Sequence, residues 1–309
     1  MRRTLVTALL TLALGVPATA VVDAWPQTSP DEPEASRRDQ QARPFLAVGL
    51  TDGQKLVAFA SDNPRNITTI GRITGLQGDQ SLVGIDFRVQ DGKVYGVGDR
   101  GGIYTLGLRH ATATQVSQLT IALQGSAFDI DFNPAANRLR VISDTGQNLR
   151  HNLDDPAGTP AAGQTAVDTA LTIPPATETA TGVTGAAYTN NDLDPATATT
   201  LFVLDTHRDQ IAIQSPANAG LLAATGKLGV DVDAGSDAGF EIQNSSSHDG
   251  TGGDGRGLAT LQVNGSYRLY EVHLLTGQAS RVGAFPDKHQ VIDLTTTGLR
   301  KLEIRGITL

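Results

Sequence analysis

A short pattern recurs along this chain and constrains its fold more than any other feature. The pattern is preceded by small residues and, in four of its five copies, places an acidic residue between two apolar ones. The copies that keep the acid are Gly84-Ile85-Asp86-Phe87, Ile130-Asp131-Phe132, Phe240-Glu241-Ile242 and Ile292-Asp293-Leu294, and a fifth copy without it is Ala186-Ala187-Tyr188. The central apolar residues are 45, 56, 54 and 52 residues apart. Such a period, built from several short strands, is typical of propeller blades.

Each repeat continues with alternating apolar runs that are separated by turn residues. In one repeat the run Lys93 to Gly98 is followed by a turn at 99–102 and by the run Ile103 to Leu106. Near the end of the chain, Asn264-Gly265 separates two further runs. Asn-Gly favours two-residue hairpins because both residues tolerate positive φ. Since long helical periodicity is absent, we predict an all-β chain with four-stranded blades.

The two ends of the repeated region are incomplete in complementary ways. Residues 45–74 supply three strands, and their first turn, Asp52-Gly53, corresponds to the middle turn of the other repeats. Residues 291–294 supply an inner strand with little after it. We therefore predict a five-bladed β-propeller whose first blade is completed by both termini, which removes two exposed sheet edges. Residues 299–309 have no place in this scheme, so six blades is the alternative.

The N-terminal segment has the features of an export signal. Arg2 and Arg3 precede an apolar run of about twelve residues, which is too short to span a bilayer, and Ala18-Thr19-Ala20 supplies the small residues of a cleavage site. We predict a secretory signal at 1–20, a disordered proline-rich spacer at 21–44 and a single propeller domain at 45–309. The mature protein is expected to be secreted or extracytoplasmic.

Composition excludes several classes of function. The 309 residues carry 24 Lys plus Arg against 32 Asp plus Glu, a net charge of -8 that argues against a nucleic-acid partner. No cysteine is present, which excludes disulfides, thiolate metal sites and cysteine nucleophiles. The sequence contains no nucleophile elbow, no phosphate-binding loop and no second apolar stretch of transmembrane length. No cofactor and no catalytic residue is assigned.

Five strings stand in order along the chain: Gly84 to Arg88, Phe128 to Pro134, Arg138 to Arg150, Ala187 to Asn190 and Gln214 to Gly220. Together they closely resemble a bacterial family, domain of unknown function four-three-nine-four. The resemblance spans about Phe45 to Thr296. It implies a propeller-like secreted or surface domain and supplies no reaction, cofactor or catalytic residue. Ala187 departs from the acid of the sister repeats.

The recurring acids have two interpretations. If the inner strands line a central channel, Asp86, Asp131, Glu241 and Asp293 lie at one depth around it. Two of them could form the carboxylate pair of a hydrolase. Alternatively, each carboxylate accepts backbone N–H groups of a neighbouring blade and fixes the packing. Repetition from blade to blade favours the structural role, because an active site is usually asymmetric.

One hairpin is asymmetric with respect to its sister units. Where those units carry Gly and apolar residues, it carries polar and charged ones. The candidates for ligand binding are Arg138, Arg140, Asp144, Gln147, Asn148 and Arg150. Arginine forks suit a carboxylate or a sugar. The alternative is a solvated outer hairpin.

Two acidic, glycine-rich stretches raise the question of calcium. Asp231, Asp233 and Asp237 supply oxygen donors near a turn, which suits a hard cation, but the bidentate Glu of a full calcium loop is missing. The stretch His248 to Gly255 is more typical of a flexible insertion. The candidate calcium ligands are therefore Asp231, Asp233 and Asp237 alone.

These observations favour a secreted, non-catalytic propeller that binds an extracellular protein or glycan at one rim, and we expect a monomer. The alternative is a secreted hydrolase that acts on a carbohydrate or lactone through channel-facing carboxylates. A purely structural module of the cell envelope is a third option.

Overall fold

The computed structural model describes residues 44–194, 196–242 and 256–297, together with the backbone at 303–304 and 307–308. These residues form five four-stranded antiparallel sheets, the blades of a β-propeller. The predicted all-β, five-bladed fold is therefore confirmed. The predicted signal at 1–20 and nearly all of the predicted spacer lie outside the described residues. Within the described part, no helix is long and apolar enough to cross a membrane.

Each blade is built from four strands that follow one another from the centre of the propeller outward. Blade 1 contains β20 (Val291–Thr296), β1 (Leu46–Thr51), β2 (Lys55–Ala60) and β3 (Asn63–Arg72). Blade 2 contains β4 (Leu82–Arg88), β5 (Lys93–Gly98), β6 (Gly102–Gly107) and β7 (Thr112–Gln118). Blade 3 contains β8 (Phe128–Asn133), β9 (Arg138–Ser143), β10 (Asn148–His151) and β11 (Thr165–Val167).

Blades 4 and 5 follow the same order. Blade 4 contains β12 (Val183–Tyr188), β13 (Leu201–Asp205), β14 (Gln210–Gln214) and β15 (Leu222–Lys227). Blade 5 contains β16 (Phe240–Glu241), β17 (Arg256–Val263), β18 (Ser266–His273) and β19 (Ala279–Ala284). A 3-10 turn, Ala217–Ala219, follows β14, and β21 (Glu303–Ile304) pairs with β22 (Ile307–Thr308).

Burial decreases from the centre of the propeller outward. Every residue of β12 is buried, whereas the outermost strand β7 of blade 2 alternates between exposed and covered positions. An inner strand is covered by neighbouring blades on both faces, so it needs no polar face. The predicted hairpin at Asn264-Gly265 is present, with φ values of 52° and 72°.

The core of the propeller is divided among the seams between blades. The apolar side chains of the described residues form five clusters, and each cluster joins two adjacent blades. Between blades 1 and 2, for example, Leu50 and Leu56 pack with Leu82 and Ile85. Because each blade contributes to two clusters, the stability of a blade depends on both of its neighbours.

The ring is closed by pairing between the two ends of the described domain. Strand β20 is antiparallel to β1, with Val48 opposite Thr295 and Gly49 opposite Leu294. The Asp52 N–H also donates to the Gln290 carbonyl at 3.0 Å. Closure of blade 1 by both ends, predicted from the incomplete repeats, is confirmed. It gives β1 a partner along the edge that faces the centre of the propeller.

Removal of residues 290–309 tests the importance of this closure. Blade 1 then loses its inner strand, and the apolar groups of two seams become exposed, so we expect an unfolded or aggregated product. Circular dichroism and size-exclusion chromatography give the measurement. A synthetic peptide of residues 290–297 should restore the cooperative transition, whereas a scrambled peptide should not. A truncated chain that melts like the intact one would contradict the prediction.

Candidate functional site

Buried acids at the centre of the propeller connect neighbouring inner strands. Asp86 Oδ2 accepts the Phe132 N–H at 2.7 Å, and Glu241 Oε2 accepts the Thr296 N–H at 3.0 Å. Both acids are 3% exposed. In each case the acceptor belongs to one blade and the donor to the next. The carboxyls therefore satisfy backbone groups that no strand pairing within a blade can reach.

These side chains occupy two layers that are two residues apart along the inner strands. The first layer, in blades 1 to 5, is Thr295, Asp86, Asp131, Ala187 and Glu241. The second layer is Asp293, Gly84, Asp129, Gly185 and Gly239. In the second layer, Asp293 Oδ2 accepts the Ile85 N–H at 2.6 Å and Asp129 Oδ2 accepts the Ala186 N–H at 2.7 Å. Both layers thus use the same bond from one blade to the next.

The structure corrects the expectation that four acids share one depth. Asp293 lies in the second layer, and Thr295 takes the equivalent place in the first. The reason is that Leu294, 2% exposed, is the buried anchor of β20, whereas Ile292 is only partly buried. The sequence pattern is therefore two residues out of register in this blade. It also passes over Asp129, the true counterpart of Asp293.

Blade 4 has no acid in either layer because its seam with blade 5 closes differently. A Cβ atom at Gly185 would lie 3.0 Å from the Phe240 Cβ and 3.1 Å from the Ala238 carbonyl oxygen. At this seam the glycine permits direct approach of an apolar strand. The place of a carboxyl is taken by Ala187, which joins the apolar cluster between blades 4 and 5.

The hydroxyl of Thr295 lies between two carboxyls at the centre of the propeller. It lies 3.0 Å from Asp86 Oδ1 and 2.8 Å from Glu241 Oε2, and it accepts the Phe87 N–H at 3.0 Å. A hydroxyl has one proton, which it donates to one carboxyl or shares between the two. A proton on either carboxyl would relieve the repulsion between them and supply a second hydrogen bond to the hydroxyl.

The electrostatics of the site agree with retained protons. Burial raises the pKa of Glu241 to about 7 and that of Asp293 to about 8. Burial also raises the pKa values of Asp86, Asp129 and Asp131 well above the usual range, and repulsion by neighbouring carboxyls adds to it. Their N–H partners lower the pKa values and so only partly oppose these effects, and the pKa values of the central carboxyls stay above the ordinary range.

A separate feature is a cleft between blades 3 and 4, with a volume of about 320 Å³. This is at the lower end of the range for small-molecule sites, about 300–1,000 Å³. The polar and apolar side chains that define its wall include Arg138, Arg140, Arg150, Tyr188, Pro216 and Asn218. The charged side chains of the lining are all guanidinium groups.

Arg140 is the most buried of these guanidiniums, at 2% exposed. It forms an ion pair with Asp168 at 2.7 Å and donates to Asn148 Oδ1 at 2.7 Å. It also donates to Asn218 Oδ1 at 2.8 Å, and its Nε lies 3.5 Å from the Tyr188 hydroxyl. These bonds fix the plane of the guanidinium at the wall of the cleft.

The other two arginines flank Arg140. Arg150 binds both oxygens of Asp168 at 3.1 Å, and Arg138 binds Asp155 at 3.0 Å. Three guanidiniums are therefore paired with only two carboxylates, which leaves one positive charge in excess at the cleft. Because Asp155 and Asp168 lie outside the lining, the cleft itself presents only the cationic groups.

The structure brings together only part of the predicted hairpin site. Arg138, Arg140 and Arg150 line the cleft, and Asn148 orients Arg140. The remaining two, Asp144 and Gln147, lie at the opposite end of the hairpin, where they bind the segment that enters blade 3: Asp144 contacts Ser126 and Gln147 contacts Gln124. At ~3.4 Å per residue, β9 separates the two ends by about 17 Å.

The sequence does not single out two residues that line the cleft, Tyr188 and Asn218, or the carboxylate Asp168 that pairs with its arginines. Tyr188, Asn218 and Asp168 come from another blade or from connecting segments, and no spacing rule relates them to the arginines. One signal is nevertheless present. Tyr188 and Asn218 belong to two of the strings that carry the family resemblance, Ala187 to Asn190 and Gln214 to Gly220. Only the fold shows that these strings meet the hairpin.

The three candidate calcium ligands do not form a cluster. Asp233 accepts the N–H groups of Asn264 and Gly265 at 3.0 and 2.7 Å, and so stabilises the β17–β18 turn. Asp237 accepts the Phe128 N–H, and burial raises its pKa to about 6, while Asp231 is exposed. Among the described residues, no group of three metal-ligating side chains is present. The stretch His248 to Gly255 lies outside those residues.

Comparison with known proteins identifies the family. The family described as Domain of unknown function (DUF4394) matches residues 55–295. The chain belongs to this family. The resemblance carried by the five strings is confirmed, and the match covers blades 2 to 5 of this DUF4394 domain and all of blade 1 except β1 and the last residue of β20. No curated protein matches the chain.

Solved structures with similar chain paths are distant in sequence. One is a chain of the nidogen/laminin complex, with 11% identity, a TM-score of 0.44 and coverage of 82% of this chain and 98% of that chain. A protein of unknown function from Bacteroides thetaiotaomicron has 12% identity and a TM-score of 0.44, with 84% and 66% covered. An auxiliary nutrient binding protein from the same organism has 9% identity and a TM-score of 0.40, with 77% and 64% covered.

The stability of the DUF4394 domain should decrease as pH rises from about 4 to about 8. Above a pH of about 4 the unfolded chain releases its carboxyl protons, whereas the folded state still retains some of them. The folded state is therefore most stable below the ordinary carboxyl pKa values and loses this advantage as the pH rises. For each carboxyl that retains its proton, the free energy of unfolding decreases by ~1.4 kcal/mol per pH unit as the pH rises from the unfolded pKa to the folded pKa. Thermal unfolding measured at intervals from pH 4.5 to 8 gives the slope.

The Glu241→Gln variant assigns part of this slope to one carboxyl. In the folded wild type the pKa of Glu241 is raised from 4.5 to about 7. In the variant, the dependence of stability on pH should therefore be weaker between about pH 4.5 and 7. Asp62→Asn, at an exposed turn residue, serves as the control and should keep the wild-type slope. Equal slopes for wild type and Glu241→Gln would show that Glu241 retains no proton in the folded state.

Asp168→Ala should destabilise the domain strongly. Asp168 is the carboxylate of the buried Arg140, and removal of one partner from a buried pair costs about 3–5 kcal/mol. Urea unfolding provides the free energy, and Asp62→Ala is the exposed control, expected to change it by less than ~0.5 kcal/mol. A loss no larger than that of the control would mean that the pair is solvated.

Proposed function

We propose that this domain is an exported, non-catalytic propeller that binds a ligand in the cleft between blades 3 and 4. The observation that carries the proposal is the convergence of Arg138, Arg140 and Arg150 on one cleft. Arginines held in a partly buried wall are costly unless their charge and donors are used. The seam between blades 3 and 4 has an apolar cluster like the other seams, and the cleft is an additional feature of this seam.

The arrangement of the central carboxyls supports binding over hydrolysis. A glycosidase needs two carboxyls that reach a substrate and a water molecule. In this propeller Asp86, Asp129 and Asp293 are at most 3% exposed, and each accepts a backbone N–H of the next blade. These carboxyls are buried between blades and hydrogen-bonded to the backbone, so they are not available to a substrate. The repeated pattern is thus explained without a reaction.

The size of the cleft supports a glycan unit over a protein as its ligand. A volume of about 320 Å³ suits a small group, whereas a stable protein interface buries a surface of ~1,600 Å². The predicted export signal at 1–20 agrees with an extracellular ligand. A purely structural envelope module remains the competing proposal, and it requires no ligand in the cleft.

A glycan and cell-wall binding array with the protein lacking residues 1–20 tests the proposal. Two adjacent exposed alanines of the β8–β9 turn provide matched variants, because Ala136 lines the cleft and Ala135 does not. We expect Ala136→Trp to lower the affinity for an array ligand at least tenfold, since the indole fills the cleft. Ala135→Trp should bind like the wild type.

The outcomes separate the alternatives. Equal binding by both variants would place the ligand elsewhere on the propeller and overturn the proposed site. A protein that binds no glycan or cell-wall component would favour the structural module. Release of products from an array ligand would favour the hydrolase.

A further inference from the structure

We infer that the ligand of the cleft is a sugar acid, a hydroxylated molecule with one carboxylate that binds among Arg138, Arg140 and Arg150. This inference rests on the proposed function and specifies the chemistry of its ligand. The observations behind it are the balance of charge in the cleft, the unused donors of its lining and the nature of its remaining surface.

The balance of charge calls for one negative charge from the ligand. Three guanidiniums face two carboxylates, Asp155 and Asp168, so one positive charge is uncompensated. A guanidinium pairs with a carboxylate through two parallel N–H bonds, and this pairing is stronger in a partly buried site than in water. A monoanion completes the balance, whereas a dianion would exceed it.

The donors of the lining are only partly used by the described residues. A guanidinium has five N–H groups. Arg150 uses three of them, on Asp168 and on the Thr159 carbonyl, and so leaves two. Nη2 of Arg138 donates one N–H to Asp155, and Nη2 of Arg140 donates one to Asn218. Each of these nitrogens therefore keeps one unused N–H group. These unused donors suit the oxygen atoms of a carboxylate.

Tyr188 adds a neutral donor at the same wall. Its side chain is 3% exposed and lines the cleft, and its hydroxyl is approached only by Arg140 Nε at 3.5 Å among the described residues. The hydroxyl proton therefore has no acceptor in the described part of the chain. A ligand hydroxyl could accept it, which a purely aliphatic acid does not offer.

The rest of the lining limits the body of the ligand. Pro216 and Ala136 are exposed apolar residues at the cleft, and they suit the C–H face of a sugar ring. An amino acid fits less well, because its ammonium group would face the excess guanidinium charge. A neutral sugar would leave that charge uncompensated.

Isothermal titration of the protein lacking residues 1–20 with D-glucuronate and D-galacturonate, each beside its own methyl ester, tests the inference. The ester keeps the ring and the hydroxyls but removes the charge. We expect at least one acid to bind tenfold or more tightly than its ester. Its affinity should decrease with added salt, and that of the ester should not.

Two variants that change the charge of the cleft in opposite directions test whether the preference for the acid arises there. Arg150→Gln removes the excess charge and should lower the affinity for the acid at least tenfold, and the affinity for the ester by a smaller factor. Asp155→Asn adds one charge and should raise the affinity for the acid. Asp62→Asn makes the same change of net charge at an exposed turn and should have no effect.

The failures are distinguishable. If the acid and its ester bind with equal affinity, and Ala136→Trp abolishes the binding of both, the sugar-acid inference is wrong but the cleft remains the binding site. Tighter binding of glucose 6-phosphate than of either uronate would replace the monoanion with a dianion. If neither the acids nor the esters bind and the array is also silent, the inference and the proposed function both fail.

Discussion

The propeller depends on hydrogen bonds from the side chains of one inner strand to the backbone of the next. Inner strands of neighbouring blades belong to different sheets, so their facing N–H groups cannot be satisfied by strand pairing, and a buried N–H without a partner is costly. Asp86, Asp129, Asp131, Glu241 and Asp293 supply the acceptors. The acids of the repeat are therefore part of the geometry of the ring.

This solution has a cost that shapes the centre of the molecule. Acids that converge on one axis lose hydration and repel one another, and both effects raise the pKa of Asp86. Asp86 and Glu241 also lie within hydrogen-bond distance of the single hydroxyl of Thr295. Blade 4 avoids the problem with Gly185 and Ala187, which close its seam with blade 5 through apolar packing.

The cleft follows from strand register in blade 3. Asp131 on β8 lies opposite Arg140 on β9, which in turn lies opposite Arg150 on β10. Residues directly opposite in an antiparallel sheet share a face, so one row runs from the central carboxyls outward. That face meets blade 4 at Tyr188, whose N–H is bound by Asp131. The contact that closes the seam near the axis thus leaves a cationic cleft farther out.

The sequence by itself determined the class of fold, the number of blades and the closure by both ends. These depend on local alternation, on turn chemistry and on a repeat that each blade must obey. It also marked Arg138, Arg140 and Arg150. Tertiary structure alone decided that Asp293 lies one layer away from Asp86, and that Asp144 and Gln147 face the other end of their hairpin. It also brought Tyr188 and Asn218 to the arginines. The physical reason is that packing between blades selects register and neighbours over distances that no local pattern encodes.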